Sequence, residues 1–223
     1  MYLKHFKLQP PLFSEFPDLK NFFSEFRREQ VCQSLILDIL AGKSLLKLVG
    51  KEGTGKTLIC RVIEERLPES CRVVLLENPV GSFEELLRLV CADLGMEPKS
   101  THDQMDMYAE LQRLLAREKA RGLRVVLLVD EAEKLFLAVL ERLVHHVGEG
   151  GGDLQLTLVL VGRPGLDANL EQIASFSPTA AFSGAYVLEA LSESETRQYL
   201  RFRAGAAGMS REQFAEVFTE GVV

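Results

Sequence analysis

A chain of 223 residues with 47% apolar and 26% charged side chains is globular in composition, long enough for one large domain or for one domain and a small appendage. Its 26 basic and 32 acidic side chains leave a net charge of −6, which gives no global attraction to nucleic acid or to an anionic membrane. No stretch is apolar for long enough to span a bilayer, and Met1-Tyr2-Leu3-Lys4-His5-Phe6 lacks the apolar run of a signal peptide, so a soluble, cytoplasmic protein is expected.

Residues 1–23 are rich in aromatics and proline (Tyr2, Phe6, Phe13, Phe16, Phe22 and Phe23 among them) and have no regular period. They read as an extended arm packed on the core. Part of it could instead line a base pocket, because a nucleobase needs an apolar or aromatic surface. A helix from Ser24, its N-cap, to Ala41 carries Val31, Leu35, Ile36, Ile39 and Leu40 as one stripe, with Gly42 after its end. Ser44–Val49 is of strand length and apolar, and it runs into Gly50-Lys51-Glu52-Gly53-Thr54-Gly55-Lys56-Thr57. Leu58–Leu67 then has helical spacing and stops at Pro68.

That octapeptide fits G-x-x-x-x-G-K-[ST], and the strand before it and the helix after it are the context this phosphate-binding loop requires. Glycines let successive N–H groups converge on phosphate oxygens, and the helix that follows points its positive dipole end the same way. The expected cofactor-binding residues are Gly50, Glu52, Gly53, Thr54, Gly55, Lys56, Thr57 and Leu58, with Lys56 reaching the β- and γ-phosphates of ATP and the Thr57 hydroxyl holding Mg²⁺. The side chains of Lys51 and Glu52 stand at free positions of the pattern and need no special role.

Arg72–Leu76 is a second strand, and Ser82 caps a helix running to Gly95. Residues 96–102 link it to a helix over 103–121. Arg124–Val129 is nearly continuous in apolar residues, as a central parallel strand covered on both faces would be, and it ends in Asp130-Glu131. A helix is expected from Ala132 to Val147, then a flexible glycine run over 148–152, then a buried strand from Leu154 to Val161 that ends at Gly162-Arg163. A short helix over 166–174, a strand over 185–188, and helices begun by Ser192 (with Glu195, a capping box) and Ser210 complete the chain.

Alternating strands and helices mean an α/β fold, a P-loop NTPase with a mainly parallel central sheet flanked by helices. The chain divides into the arm (1–23), the core (24–190) and the start of a small helical lid (191–223). The nucleotide belongs at the carboxyl ends of the strands, where the P-loop, Asp130-Glu131 and Arg163 all fall. Asp130 is expected to complete the Mg²⁺ site, and Glu131, with Lys56 as the other catalytic residue, to orient the water that attacks the γ-phosphate. Arg163 is either a γ-phosphate sensor or a surface arginine in the turn before Pro164. Cys32, Cys60, Cys71 and Cys91 form no C-x-x-C pair and read as structural thiols, and His145-His146, without a third ligand in view, as helix-end cations.

Several segments narrow the family. Met1-Tyr2-Leu3-x-His5-Phe6-x-Leu8, Pro11-Leu12-Phe13, Leu76-x-Asn78-Pro79, Val129-Asp130-Glu131-Ala132, Leu160-Val161-Gly162-x-Pro164 and Leu191-Ser192-x-x-Glu195-Thr196 resemble AAA+ ATPases of the secretion-pathway protein A (GspA/ExeA) type, including the MSHA-pilus biogenesis ATPases. The resemblance spans nearly the whole chain. It implies an ATPase that forms a homo-oligomer and works at the inner-membrane face, through a partner, in assembling an envelope secretion or type IV pilus system. The family usually has a Gln-Arg pair before the last core strand, whose arginine serves a neighbouring subunit's ATP, whereas Thr179–Ala185 contains no arginine. The family's Gly-x-Pro-Arg lid sensor would lie beyond Val223. Three readings therefore stand: an oligomerising Mg²⁺-dependent ATPase, a slow nucleotide-dependent switch that recruits partners, and a DNA-associated ATPase of the transposition-helper kind.

Overall fold

The computed structural model describes residues 8, 11–13, 19, 22–24, 27–78, 80–96, 104–150, 155–176 and 181–218. Helix α1 (Arg27–Leu40) leads into β1 (Leu45–Gly50), α2 (Lys56–Arg66), β2 (Cys71–Leu76), α3 (Phe83–Asp93) and α4 (Gln104–Ala120). Then come β3 (Arg124–Val129), a 3₁₀ turn (Ala132–Lys134), α5 (Leu137–Gly150), β4 (Leu156–Gly162), α6 (Gly165–Phe176), β5 (Gly184–Leu188), α7 (Glu193–Ala206) and α8 (Arg211–Val217). The five strands form one sheet in the order β2-β3-β4-β1-β5, every pairing parallel. The α/β class, the parallel sheet and the flanking helices are as the sequence predicts.

Two-residue alternation along the strands builds two cores, one on each face. Leu45, Val49, Val125, Leu127, Val129, Leu158 and Leu160 face α3 to α6, while Leu46, Leu48, Val126, Leu128, Val159 and Val161 face α1 and α2. Central β4 is buried along its whole length. On β1 the alternation admits one charge: the Lys47 ammonium pairs with Asp167 of α6 and lies 5.5 Å from the centroid of the Phe182 ring. Cys32, Cys60 and Cys91 are buried and Cys71 half-buried, none of the four in a disulfide, and burial raises each thiol's pKa, to about 11 for Cys32 and Cys91.

The described parts of the arm join two regions. Phe22 packs against the core on the α1 and α2 face. Leu8 and Leu12 lie in a separate apolar cluster with Ala204, Ala207, Met209 and Phe214 of the C-terminal helices, and Phe23 meets the rings of Tyr199 and Phe202 at 5.7 and 5.5 Å. The arm thus covers α7 and α8 as well as the core, because helices already occupy both sheet faces. The rest of residues 1–23, including Tyr2, Phe6 and Phe16, lies outside the described residues.

One element departs from expectation. The helix expected from Ala132 begins only at Leu137, and it continues through Gly150 rather than breaking at Gly148. Glu131 adopts a left-handed conformation (φ 51°) at the end of β3, and the chain closes through i+3 bonds, Lys134 N–H to Glu131 O at 2.8 Å and Leu135 N–H to Ala132 O at 3.2 Å. The turn keeps the second acid at the strand end instead of carrying it round a helix. Three of the four helix starts expected at serines are as predicted: Ser82 Oγ accepts from Glu85 N–H, and Ser192 with Glu195 and Ser210 with Gln213 form complete capping boxes, whereas the helix expected from Ser24 is described from Arg27. Among the described residues no helix is long and apolar enough to cross a membrane.

Leu158, fully buried in the central strand, and Leu37, 65% exposed on α1, make a test of this layering. Leu158→Ala is expected to lower unfolding free energy in urea by about 2–5 kcal/mol. Leu37→Ala should stay within about 0.5 kcal/mol of the parent.

Candidate functional site

The glycines of the loop between β1 and α2 are required for two different reasons. Gly53 (φ 73°) and Gly55 (φ 91°) sit in the left-handed region, in open space, so conformation alone demands glycine. Gly50 is demanded by space: a Cβ there would fall 2.7 Å from the Leu188 carbonyl oxygen and 2.8 Å from Thr54 Oγ1. Thr54 is buried, and its hydroxyl donates to the Lys51 carbonyl at 2.8 Å, closing the loop on itself. Lys56 Nζ donates to the carbonyls of Gly50 and Lys51, both at 2.9 Å. Helix α2 starts at Gly55 without a side-chain cap, so its first N–H groups and its dipole favour an anion.

Strand β3 brings the acids to the same end of the sheet. Asp130, 3% exposed, accepts from Thr57 Oγ1 at 2.5 Å and from the Glu131 N–H at 2.8 Å. Burial raises its pKa, an effect opposed by those two hydrogen bonds and by the Lys56 charge. Glu131 receives Lys134 Nζ on one carboxylate oxygen at 2.7 Å. Strand β4, which lies between β3 and β1, delivers Arg163. Its Nη1 pairs with Glu52 Oε2 of the loop at 3.0 Å, and its backbone N–H donates to Glu133 Oε2 at 3.1 Å.

A single cleft of about 470 Å³ gathers Glu52, Gly53, Gly55, Lys56, Thr57, Leu58, Asp130, Glu131, Glu133 and Arg163. The expected residues Gly50 and Thr54 are not part of its wall; they hold the loop from behind. The Lys56 pKa is lowered, first by burial, with Arg163 adding to the effect and Asp130, Glu133 and Glu52 opposing it. The Thr57 hydroxyl and Asp130 carboxylate are hard oxygen donors in contact, and a cation between them would relieve the desolvation of the carboxylate. These residues fit Mg²⁺.

Two residues at the site carry no motif signal. Arg28 of α1, half-buried, donates through Nη2 to the Thr54 carbonyl at 3.1 Å. It lines a second cleft, of about 420 Å³, with Leu188, Glu189, Leu191, Ser192 and Glu195. Burial lowers its pKa, and Glu195 opposes that shift. Glu133 reaches Arg163 across 30 positions of sequence, a contact no local pattern encodes. A larger cavity, of about 1110 Å³, is lined by Phe23 and residues of α7, α8 and the turn between them, and takes none of the motif residues. His146 packs against the Phe83 and Tyr108 rings at 5.5 and 4.6 Å, in the helical layer on one sheet face.

A strand, a phosphate-type loop and a helix, with paired acids on the strand two places away, define a P-loop NTPase of the AAA type. A family model described as an AAA domain matches residues 39–170, and the chain belongs to that family. Within the family it resembles the general secretion pathway protein A of Aeromonas hydrophila, at 30% identity over 210 residues, which bears out the secretion-pathway protein A resemblance seen in the sequence. That match covers 93% of this chain but 38% of the relative, so the chain spans well under half of the relative's length. Among solved structures, the fold is shared with Cdc6p from Pyrobaculum aerophilum, with a TM-score of 0.61 at 19% identity over 90% of this chain and 54% of that one. It is also shared with the Aeropyrum pernix ORC2 protein, with a TM-score of 0.62 at 16% identity over 89% of this chain and 56% of that one.

If the contact between Thr57 and Asp130 marks the cation site, Thr57→Ala should weaken nucleotide binding in Mg²⁺ by roughly tenfold or more. Affinity measured in EDTA should change far less, and titration calorimetry in the two buffers checks the difference.

Proposed function

We propose that this AAA-family chain binds ATP with Mg²⁺ and hydrolyses it, and that the hydrolysis assists assembly of a bacterial envelope secretion or type IV pilus system. The observation that carries the catalytic part is the convergence of Lys56, Thr57, Asp130 and Glu131 on one cleft from the ends of two strands that are not neighbours. The general secretion pathway protein A relative supports the biological setting. The Aeropyrum pernix ORC2 protein, which shares the fold, is known in complexes with ADPNP and ADP, and this supports nucleotide binding.

In this reading the phosphates lie against the loop, and the Lys56 ammonium exchanges the Gly50 and Lys51 carbonyls for phosphate oxygens. Thr57 and Asp130 hold Mg²⁺, which when bound neutralises phosphate charge. Glu131 orients and polarises the attacking water once Lys134 releases or shares its carboxylate. The base would occupy the cleft beside Arg28, between α1 and the start of α7. Residues 1–23 serve as an arm, 24–190 as the ATPase core and 191–223 as the start of a lid, and a homo-oligomer engages an inner-membrane assembly partner.

A slow switch is the second reading. Two observations favour it: Thr179–Ala185 offers no arginine to a neighbouring subunit, and Lys134 already holds Glu131. Loss of such an arginine costs on the order of 10³-fold in turnover in related chemistry.

Steady-state turnover against protein concentration, with Mg²⁺, separates the two. A motor gives specific activity that climbs with concentration, and Glu131→Gln then cuts turnover by about 10²-fold or more while ATP still binds. Tight binding with flat, very slow turnover at all concentrations supports the switch, and unchanged turnover in Glu131→Gln rules out the role given to that acid.

A further inference from the structure

The carboxylate of Glu133 is built into the site in a way its exposed neighbours are not. Its side chain is 12% exposed, and Oε2 accepts the Arg163 backbone N–H at 3.1 Å while Oε1 faces Arg163 Nε at 3.5 Å. Its own carbonyl accepts from Asn169 Nδ2 at 3.0 Å, which ties the 3₁₀ turn to α6. Gly162 makes the room: a Cβ there would stand 2.7 Å from Glu133 Oε2 and 3.1 Å from the Leu166 side chain. The opposite side of the guanidinium meets Glu52, which is 76% exposed, at 3.0 Å. Arg163 is therefore anchored on its shielded side by a backbone hydrogen bond and a longer ion pair to Glu133, and held on the side of the phosphate loop by a shorter but exposed ion pair to Glu52, of a kind that contributes little.

We infer that Glu133 is a positioning residue that aims the Arg163 guanidinium across the cleft at the terminal phosphate of a nucleoside triphosphate, and that Glu52 is the anionic placeholder this phosphate displaces. The inference rests on the ATPase reading and on Arg163 as its γ-phosphate sensor, and deepens it by naming the two acids that set the aim of that guanidinium. Glu52 and Arg163 line the same cleft as Lys56 and Thr57, so an anion seated on the loop competes with Glu52 for the same donor. A diphosphate lacks the group that would reach Arg163, and it leaves the pair with Glu52 in place.

Calorimetric titration of the full chain with ADP and with ADPNP, both in Mg²⁺, tests this through the ratio of the two affinities. The parent should prefer ADPNP. Arg163→Ala and Glu133→Ala should each lower that preference by about tenfold, mostly through the ADPNP affinity, and the double variant should lose little more because both act through one guanidinium. Glu133→Gln keeps an acceptor for the Arg163 N–H and should retain an intermediate ratio, whereas Glu52→Ala should raise the ratio. Equal ratios for the parent and Glu133→Ala, additive losses in the double variant, or a parent without preference overturn the proposal while nucleotide binding leaves the ATPase reading standing. Should Glu133→Ala fail to fold, the opposite shifts of Glu133→Gln and Glu52→Ala decide, and equal ratios in those two overturn it. A parent that binds neither nucleotide overturns the ATPase reading and this proposal with it.

Discussion

The hydrogen bond from Thr57 to Asp130 joins parts of the molecule that the sheet keeps apart. Thr57 lies in the first turn of the helix after β1, and Asp130 follows β3, but β4 lies between those strands. The contact therefore passes over the carboxyl end of β4, where Arg163 emerges. Everything else in the cleft depends on that span. The loop glycines allow β1 to turn tightly enough for Thr57 to reach back, and the left-handed Glu131 holds the second acid beside the first instead of turning it away on a helix. The gap so created is bounded by the Lys56 ammonium, the Thr57 hydroxyl, the carboxylates of Glu52, Asp130, Glu131 and Glu133 and the Arg163 guanidinium, which together offer donors for a polyphosphate and oxygens for its cation.

The polar groups of the site partner one another. Lys56 bonds to loop carbonyls, Asp130 to Thr57, Glu131 to Lys134 and Arg163 to acids on both sides. Each of these groups is charged or strongly polar, and leaving any of them buried without a partner would be costly. Internal partners satisfy these groups, and under the proposed function they are the contacts that a phosphate group and a cation exchange. Arg163 is held from two sides, by the shielded acid Glu133 and the exposed acid Glu52.

The C-terminal helices and the arm form the part least constrained by the sheet. Leu8 and Leu12 share an apolar cluster with Ala204, Met209 and Phe214, apart from the two cores on the sheet. Arg28 connects this region to the loop: its guanidinium donates to Thr54, and Glu195 on α7 is the acid whose charge acts on it most. A shift of α7 would change the field at Arg28 and, through Thr54, the back of the phosphate loop. The chain thus contains a short polar path between the helices at its C-terminal end and the cleft.

The sequence by itself determined the elements and the chemistry that is local. Apolar runs of strand length, helical stripes, the capping residues Ser82 and Ser192, and the eight-residue loop were legible because each depends on neighbours within one or two turns of chain. The pairing of Asp130 with Thr57 was foreseeable as a shared role. Only the tertiary structure decided the strand order, and with it that β4 would stand between the two motif-bearing strands and bring Arg163 into the gap. It also decided the grip of Glu133 on Arg163, the partnership of Arg28 with Thr54, the division of the arm between core and C-terminal helices, and the 3₁₀ turn that displaced the expected helix start at Ala132. These contacts join residues 26 to 30 or more positions apart, or depend on a backbone angle at Glu131 that residue type does not specify. Periodicity carries information about which face of an element is buried, but not about which other element comes to cover it.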